Sequence, residues 1–244
     1  MLSHMLQKLR GKARFLLPRP DQPLAIIGDV HGCLDLLQDL LTKLPAEAQV
    51  VLVGDYIDRG EDSEGVLRFL NGRSDLICLR GNHEDMLIQF LTDPARHGGR
   101  WLQYGGLQTL ASFGISGIHN NAPPAALENC RDALLSKMGA DLEHFLKRLL
   151  PCHLSGNVLV AHAGANPAVA PEYQDPKYLI WGHPDFDRTP RKDGVWVAYG
   201  HVIHDQPKIS KGRIAIDTGA YATGRLTAAY LSPDAEPVFI SSQK

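Results

Sequence analysis

The chain has 244 residues, of which 44% are hydrophobic, and a formal net charge of -2 at pH 7. A nearly neutral chain has no overall field that would attract nucleic acid or an anionic membrane, so we expect no nucleic-acid partner and place any affinity for phosphate in a local cluster. The 4 cysteines form no Cys-x-x-Cys pair, which argues against a disulfide framework or a cysteine zinc site. Reduced thiols, together with the lack of a long apolar run, predict a cytoplasmic chain without a membrane span.

The length favours one large core, and we predict a single domain over residues 21–244. Residues 1–20 form a basic N-terminal arm in which lysines and arginines alternate with leucines. Two interpretations of this arm remain open: an amphipathic segment that touches anionic lipid or a partner, or a peripheral helix or frayed terminus. The oligomeric state is not predicted.

In the first hundred residues, short apolar runs alternate with stretches of helical periodicity. The predicted strands are Leu24–Ile27, Val50–Val53 and Leu76–Leu79, and the predicted helices are Leu34–Leu44, Glu64–Leu70 and His83–Leu91. Uniformly apolar strands that alternate with amphipathic helices are typical of βαβ units, in which helices cover both faces of a parallel sheet.

The second half of the chain has a different pattern. Residues 93–156 are predicted to be a helical insertion, with helices around Leu127–Met138 and Leu142–Leu150. Strand signals then return with few helices between them, at residues 157–161, 195–199, 213–216, 226–231 and 238–240. Strands that follow one another so closely favour antiparallel pairing.

A short polar cluster follows each of five predicted strands. The clusters read GDVHG (28–32), GDYIDRG (54–60), GNHE (81–84), VAHAG (160–164) and YGH (199–201). Because the carboxyl ends of parallel strands lie at the same edge of a sheet, we expect the clusters to converge. Any one of them alone is more simply a turn with a hydrogen-bonded histidine, but five such clusters at strand ends favour a common site.

The pooled side chains offer carboxylate, amide and imidazole ligands without a thiolate. Such a set suits Mn, Fe or Zn, and one carboxylate can bridge two divalent ions about 3.5–4 Å apart. The predicted ligands are Asp29, His31, Asp55, Asn82, His162 and His201. We therefore expect two divalent metal ions, with Mn as the first choice.

The five clusters resemble the metallophosphoesterase superfamily, and in particular its phosphoprotein phosphatase branch, which includes eukaryotic serine/threonine phosphatases and small bacterial and phage relatives. The resemblance runs from about Leu24 to Leu231. It implies that residues 21–244 are a metallophosphoesterase catalytic domain of the α/β class, a four-layer α/β/β/α sandwich. It also implies that Asp29 and His31 bind a first metal, that Asn82, His162 and His201 bind a second, and that Asp55 bridges them.

The resemblance further implies roles for the remaining polar residues. His83 would be the general acid, held by Asp58, and Arg59 would bind phosphate oxygens with Asn82 beside it. The implied reaction is a one-step, in-line attack on phosphorus by a hydroxide that bridges the two metals, without a phosphoenzyme.

The sequence departs from the family pattern at LIWGHPDF (179–186). His183 stands where bacterial relatives usually have a second phosphate-binding arginine. Either His183 completes the phosphate site, or it is a loop residue and Arg188 or Arg191 takes this role. His204 is an additional imidazole that we do not assign as a ligand.

The expected function is that of a metal-dependent phosphomonoester hydrolase similar to protein serine/threonine phosphatases, acting on a phosphorylated protein or a small phosphoester. The alternatives are a hydrolase of dinucleoside polyphosphates such as diadenosine tetraphosphate, and a broad phosphodiesterase. Asp58 and Glu84 favour the phosphatase, since tetraphosphatase relatives typically have alanine where Asp58 stands and GNHD in place of GNHE. A catalytically silent, metal-bearing interaction module would be expected to lack Asp55, His83 or Arg59.

Overall fold

The computed structural model describes residues 16–243, which contain two five-stranded β-sheets with helices against their outer faces. Most of the predicted basic arm, residues 1–20, lies outside this part of the chain. The first sheet has the strand order β10-β9-β1-β2-β3. Its strands are β1 (Leu24–Ile27), β2 (Gln49–Leu52), β3 (Leu76–Cys78), β9 (Arg225–Leu231) and β10 (Val238–Gln243).

In this sheet β1, β2 and β3 are parallel, whereas β9 pairs antiparallel with both β1 and β10. The second sheet has the order β4-β5-β6-β8-β7. Its strands are β4 (Cys152–Ser155), β5 (Val158–Ala161), β6 (Trp196–Tyr199), β7 (Lys208–Ser210) and β8 (Arg213–Ala215). The central strands β5, β6 and β8 are parallel, and the two edge strands pair antiparallel.

The helices lie between the strands in chain order. They are α1 (Leu34–Lys43), α2 (Ser63–Asn71), α3 (Asn82–Thr92), α4 (Pro94–Trp101), α5 (Leu107–Ser112), α6 (Pro124–Arg148), α7 (Pro176–Trp181) and α8 (Ala220–Thr223). A π-helical turn, Leu102–Gly106, joins α4 to α5. None of the helices in residues 16–243 is long and apolar enough to cross a membrane.

Buried apolar side chains form three hydrophobic layers. Ile27 belongs to the layer between the first sheet and the helices, whereas Ile26 packs between the two sheets with Val160 of β5. A third layer covers the outer face of the second sheet, where Leu179 of α7 packs with Val197 of β6. Because both faces of β1 are covered, all of its side chains are buried, which explains its uninterrupted apolar sequence.

The mixed α/β fold with two sheets and helices is thus confirmed, and three details differ from the prediction. The helical insertion ends earlier than predicted, because β4 is an edge strand inside residues 93–156. The two predicted helices around Leu127 and Leu142 are one element with a break at Gly139, where φ is 71°. Pairing in the second half is only partly antiparallel, since β5, β6 and β8 run parallel.

Candidate metal centre

The loops after five strands meet at one end of the two sheets. Asp29, Asp55 and Asn82 follow β1, β2 and β3 of the first sheet. His162 and His201 follow β5 and β6 of the second sheet. All of these side chains are buried except His201, which is partly buried. The predicted convergence of the clusters is therefore present, with ligand-type atoms supplied by both sheets.

Three ligand atoms form a tight group on the side of the second sheet. Oδ1 of Asn82 lies 2.8 Å from Nε2 of His162 and 2.8 Å from Nδ1 of His201. The two imidazole nitrogens are 3.2 Å apart. Ligand atoms at right angles around one ion, each about 2.1 Å from it, lie about 3 Å apart, so these spacings fit one divalent cation.

The carboxylate of Asp55 lies between this group and a second set of atoms. Its Oδ2 is 3.4 Å from Nε2 of His162 and 3.6 Å from Nε2 of His31. Burial by itself would raise the pKa of Asp55, but the imidazoles of His162, His83 and His31 hold it well below its usual value. Asp55 is therefore an anion with neighbours on both sides, as a bridging ligand requires.

His31 is oriented by its other ring nitrogen. Its Nδ1 donates to the backbone carbonyl of Ile57 over 2.7 Å, which leaves the lone pair of Nε2 directed toward Asp55. Burial lowers the pKa of His31 to about 3, so the imidazole stays neutral at pH 7. A neutral imidazole with a carbonyl on its far nitrogen is the usual state of a histidine metal ligand.

Asp29 completes the set on the first sheet. Both of its carboxylate oxygens accept from the backbone N–H of His201, at 3.1 and 3.0 Å. Burial, with the nearby carboxylates of Asp217 and Asp55, raises the pKa of Asp29 well above its usual value. Like charges held together in a buried space are stabilised by a cation.

Two observations show that these residues fit divalent metals. Nε2 of His31, which faces Asp55, is buried and has no hydrogen-bond partner within residues 16–243. A Cβ at Gly81 would overlap Oδ1 of Asp55, and a Cβ at Gly200 would overlap an oxygen of Asp29. Glycine at these two positions therefore lets the carboxylates lie against the backbone, and the nitrogen of His31 is left for a cation.

The backbone of the site is strained. In the described part of the chain six non-glycine residues have positive φ, and five of them belong to the five loops: His31, Asp55, Asp58, Arg59 and His201. Such conformations are costly for L-residues and persist where surrounding contacts enforce them, most often at functional sites.

His83 and Asp58 form a buried pair next to the metal ligands. Nδ1 of His83 donates to Oδ2 of Asp58 over 2.7 Å, and Nε2 faces Oδ2 of Asp55 at 3.9 Å. Asp58 also accepts from Nε1 of Trp101 and from the hydroxyl of Thr109 at 2.6 Å. Burial by itself would lower the pKa of His83, but the carboxylates of Asp55 and Asp58 raise it above its usual value. His83 is therefore suited to hold a proton at neutral pH.

Arg59 lies at the edge of the site and contacts Tyr221 of α8. Its guanidinium carbon is 5.2 Å from the centre of the Tyr221 ring, and Nη1 lies 3.5 Å from the tyrosine hydroxyl. The same ring packs edge-on against His31, with 5.3 Å between centroids. Tyr221 thus connects the predicted phosphate-binding arginine to a predicted metal ligand.

The structure places His183, Arg188 and Arg191 differently from the predicted clamp. His183 packs against Tyr178 and accepts from the backbone N–H of Asp185, and these are its side-chain contacts within the described residues. Arg191 is buried and donates to two backbone carbonyls and to the carboxylate of Asp193. Arg191 therefore has a structural role, and Arg188 is exposed in the same loop.

Two site residues escaped the sequence analysis. Glu84 accepts from the backbone N–H groups of Asp55, Tyr56 and Gly81, and so ties the loop after β2 to the start of α3. Its position three residues after Gly81 at a helix start is the capping-box signal that would have revealed this role. Asp217 is a buried carboxylate directly after the predicted strand 213–216, the same strand-end signal as at the other clusters.

Comparison with known proteins agrees with this geometry. The family model described as Calcineurin-like phosphoesterase matches residues 22–205. A bis(5'-nucleosyl)-tetraphosphatase PrpE [asymmetrical] of Oceanobacillus iheyensis is 29% identical over 253 residues, covering 90% of this chain and 92% of the relative. The corresponding protein of Bacillus velezensis is 28% identical over 246 residues, covering 89% and 92%.

A solved structure described as a diadenosine tetraphosphatase superposes with a TM-score of 0.63 at 21% identity, covering 93% of this chain and 97% of the other. The sequence relatives carry the name of the alternative activity and not that of the expected phosphoprotein phosphatase branch. The matched segment contains all five clusters of the site. The chain belongs to the calcineurin-like phosphoesterase family, whose members use divalent metals to hydrolyse phosphoesters.

Proposed function

We propose that this protein hydrolyses bis(5'-nucleosyl) polyphosphates asymmetrically, releasing a nucleoside monophosphate from one end of a tetraphosphate bridge and a nucleoside triphosphate from the other. The observation that carries the proposal is the convergence of six metal-ligand residues from two sheets beside an arginine and a protonated histidine: Asp29, His31, Asp55, Asn82, His162 and His201. The names of the relatives support the choice of substrate.

Two divalent ions, which we propose to be manganese, would be held by these residues and would supply a hydroxide nucleophile at neutral pH and charge for the phosphate oxygens. Asp55 keeps the two ligand sets together. Arg59 holds the oxygens of the attacked phosphate, with Asn82 beside it, and Tyr221 fixes the guanidinium.

The reaction balances as a hydrolysis. A new bond forms between the oxygen of water and the phosphorus that is bonded to one of the nucleosides. The bridging P–O bond from this phosphorus to the next phosphate breaks, and the water releases a proton. The electron pair of that bond leaves with the nucleoside triphosphate. Nε2 of His83 carries the proton that neutralises this oxygen when the leaving group requires it, and Asp58 keeps the imidazole protonated and oriented.

Hydrolysis of phosphoserine or phosphothreonine is the second candidate, because the His83–Asp58 pair favours it. An alkoxide is a strong base and needs a proton to leave, whereas the terminal oxygen of a polyphosphate is a weak base, with a pKa near 6 for a phosphate monoester. A fully buried acid pair is more useful for the first kind of leaving group than for the second.

A substrate panel with Mn²⁺ tests the proposal. Diadenosine tetraphosphate, a phosphoserine peptide, p-nitrophenyl phosphate and its diester are incubated with the wild type, and the products are separated by anion exchange. We expect ATP and AMP in equal initial amounts from the dinucleotide, at a higher kcat/KM than for the peptide. Two equivalents of ADP, or cleavage of the peptide alone, would contradict it.

Two variants connect this activity to the site. Asp55→Asn removes the shared carboxylate and should abolish all activities together with metal uptake. His144→Asn changes an exposed histidine on α6 and serves as the control that should behave like the wild type.

A further inference from the structure

A basic cleft lies beside the metal centre and has no role in the reaction described so far. It is a cavity of about 600 Å³ whose polar lining we call the basic groove. The groove is formed by Arg80 at the end of β3, by Asp85 and Gln89 of α3, by Arg100 of α4, and by Lys177 and Trp181 of α7.

The walls of the groove are fixed directly to the catalytic residues. Nε1 of Trp181 donates to Oδ2 of Asp85 over 2.9 Å, in the first turn of the helix that carries His83. The backbone carbonyl of Leu179 in α7 accepts from the N–H of Ala163, the residue after His162, over 2.8 Å. Arg80 lies two residues before Asn82. The groove is therefore built on segments that also carry His162, His83 and Asn82.

The cations of the groove have no carboxylate partner. Within residues 16–243, no ion pair involves Arg80, Arg100 or Lys177. The guanidinium of Arg80 donates to the backbone carbonyl of Lys147 at 3.4 Å. The carboxylate of Asp85 already accepts from Gln89 and Trp181, each at 2.9 Å. Three cations with one committed carboxylate give a positive local field in a chain whose net charge is -2.

Arg100 is also held between aromatic rings. Its guanidinium carbon is 4.9 Å from the centre of the Trp181 ring and 6.0 Å from that of Tyr104. Cation–π contacts restrain an arginine, and a guanidinium can bind a phosphate through two of its N–H groups. The exposed face of Tyr104 offers a surface for a nucleobase.

A second cleft, of about 430 Å³, borders the other side of the metal centre and has the opposite charge. It contains Arg59 and Tyr221 together with the carboxylates of Glu61 and Asp62. Arg59 holds the attacked phosphate, whereas the two carboxylates disfavour further phosphates and can accept hydrogen bonds from the hydroxyls of a neutral nucleoside. The contrast in charge decides which part of an asymmetrically cleaved substrate each cleft accepts.

We infer that the basic groove binds the nucleoside triphosphate part of the substrate, with Arg100 and Lys177 contacting the phosphates beyond the cleaved bond. This inference rests on the proposed function, because a phosphomonoester with a simple alcohol has no phosphates to place there. The groove makes the direction of binding unequal and so accounts for asymmetrical cleavage: the triphosphate occupies the basic groove, and the monophosphate end occupies the acidic cleft.

The test compares two double variants. Arg100→Ala with Lys177→Ala removes two cations of the groove. Arg96→Ala with Lys137→Ala removes two exposed cations elsewhere, one of them on the same helix α4 as Arg100. With diadenosine tetraphosphate, the groove variant should raise KM by about 10- to 100-fold, as expected for lost charge-assisted bonds to phosphate. With p-nitrophenyl phosphate it should stay within about twofold of the wild type, and the control should be unchanged on both substrates.

Binding without catalysis provides an independent measurement. ATP is titrated calorimetrically into protein kept in a chelator, so that no metal contributes. The wild type and the control should bind ATP, and the groove variant should have lost this binding. Equal ATP affinity in both double variants, no ATP binding by the wild type, or equal KM changes on both substrates would overturn the inference.

The two proposals fail in different ways. If the wild type does not cleave diadenosine tetraphosphate but ATP binds in an Arg100-dependent manner, the proposed function is wrong and the groove assignment stands. If the wild type cleaves the dinucleotide and the two double variants behave alike, the proposed function stands and the groove assignment is wrong.

Discussion

Nδ1 of His83 lies 2.7 Å from Oδ2 of Asp58, and both side chains are almost entirely buried. A buried imidazole that donates to a carboxylate on one side has its other nitrogen directed at the reaction, with the ring held in place. This pair gives the site a proton donor whose importance depends on the leaving group.

The first prediction concerns this dependence. His83→Asn removes the acid, and the loss of kcat should be larger for phenyl phosphate than for p-nitrophenyl phosphate, since phenol is the stronger base, with a pKa near 10 like that of tyrosine. We expect about a 10²- to 10⁴-fold loss for phenyl phosphate, the usual range for a general acid. Metal content, measured by plasma mass spectrometry, should match that of the His144→Asn control. Equal losses on both esters, or an unchanged turnover, would rule out His83 as the acid.

The second prediction concerns Tyr221, which holds Arg59. Tyr221→Ala should raise KM for p-nitrophenyl phosphate by about two- to fivefold, the value of an exposed cation–π contact. Tyr221→Phe keeps the ring face and should stay within about twofold of the wild type. KM is measured by steady-state kinetics at a fixed Mn²⁺ concentration. If the two variants have the same KM, the Tyr221 ring does not position the guanidinium of Arg59.

The third prediction concerns the stability of the metal-free protein. Burial raises the pKa of Glu84 to about 7, and burial with the carboxylate of Asp217 raises that of Asp29. A carboxyl with a raised pKa stabilises the fold while protonated, and this contribution is lost as the pH rises through the raised value. The contribution of Glu84 should therefore fall as the pH rises from its ordinary pKa of 4.5 to about 7, and stay level above that.

Two histidines act in the opposite direction. Burial lowers the pKa of His31 to about 3 and that of His201 to about 4. Their neutral imidazoles contribute fully above the unfolded pKa of about 6.5, and this contribution is lost as the pH falls toward the lowered values. Between pH 5 and 7 this loss opposes the contribution of Glu84. Urea unfolding in a chelator should therefore show a larger fall in stability from pH 7 to pH 5 for Glu84→Gln, which has no carboxyl to titrate, than for the wild type. An equal fall in both proteins would contradict the linkage.

The fourth prediction concerns Arg191. Arg191→Ala removes hydrogen bonds to the backbone carbonyls of Asn166 and Val169, at 3.0 and 2.8 Å, and its ion pair with Asp193. It should lower the free energy of unfolding by about 2 kcal/mol or more. KM for p-nitrophenyl phosphate should not change, because the guanidinium is already engaged by the two carbonyls and Asp193. Arg188→Ala changes an exposed arginine of the same loop and should leave stability unchanged. A higher KM in either variant would show that the arginine in question contacts the phosphate.

Much of the first sheet could be predicted because both faces of its parallel strands are covered. The apolar run Leu24–Ile27 was predicted to the residue, and the neighbouring strands to within one residue at each end. Edge strands give a weaker signal. All three residues of β7 are exposed, and β4 is mostly half-exposed, so neither has an apolar pattern that distinguishes it from a loop.

The convergence of the candidate ligand residues could be predicted because each of them has a metal-binding side chain and each follows a strand. The partners of Glu84 and Tyr221 could not be predicted. Glu84 has a local capping-box signal, but it also binds backbone N–H groups 28 and 29 residues away. Tyr221 reaches Arg59 across 162 residues. Contacts of this kind depend on the packed structure and leave no periodic or local pattern. Arg100 escaped for the same reason, since its aromatic partner Trp181 lies on another helix.

The division of the ligands between the two sheets has a mechanical consequence. Asp29, Asp55 and Asn82 follow strands of one sheet, and His162 and His201 follow strands of the other, so bound cations would cross-link the two sheets at this end. Farther from this end the sheets are joined by hydrophobic packing, through residues such as Ile26 and Val160, and by hydrogen bonds such as that from Asp21 to Ser155. Substitutions that enlarge side chains between the sheets should therefore weaken metal binding before they unfold the chain. Bound metal should in turn stabilise the contact between the two sheets.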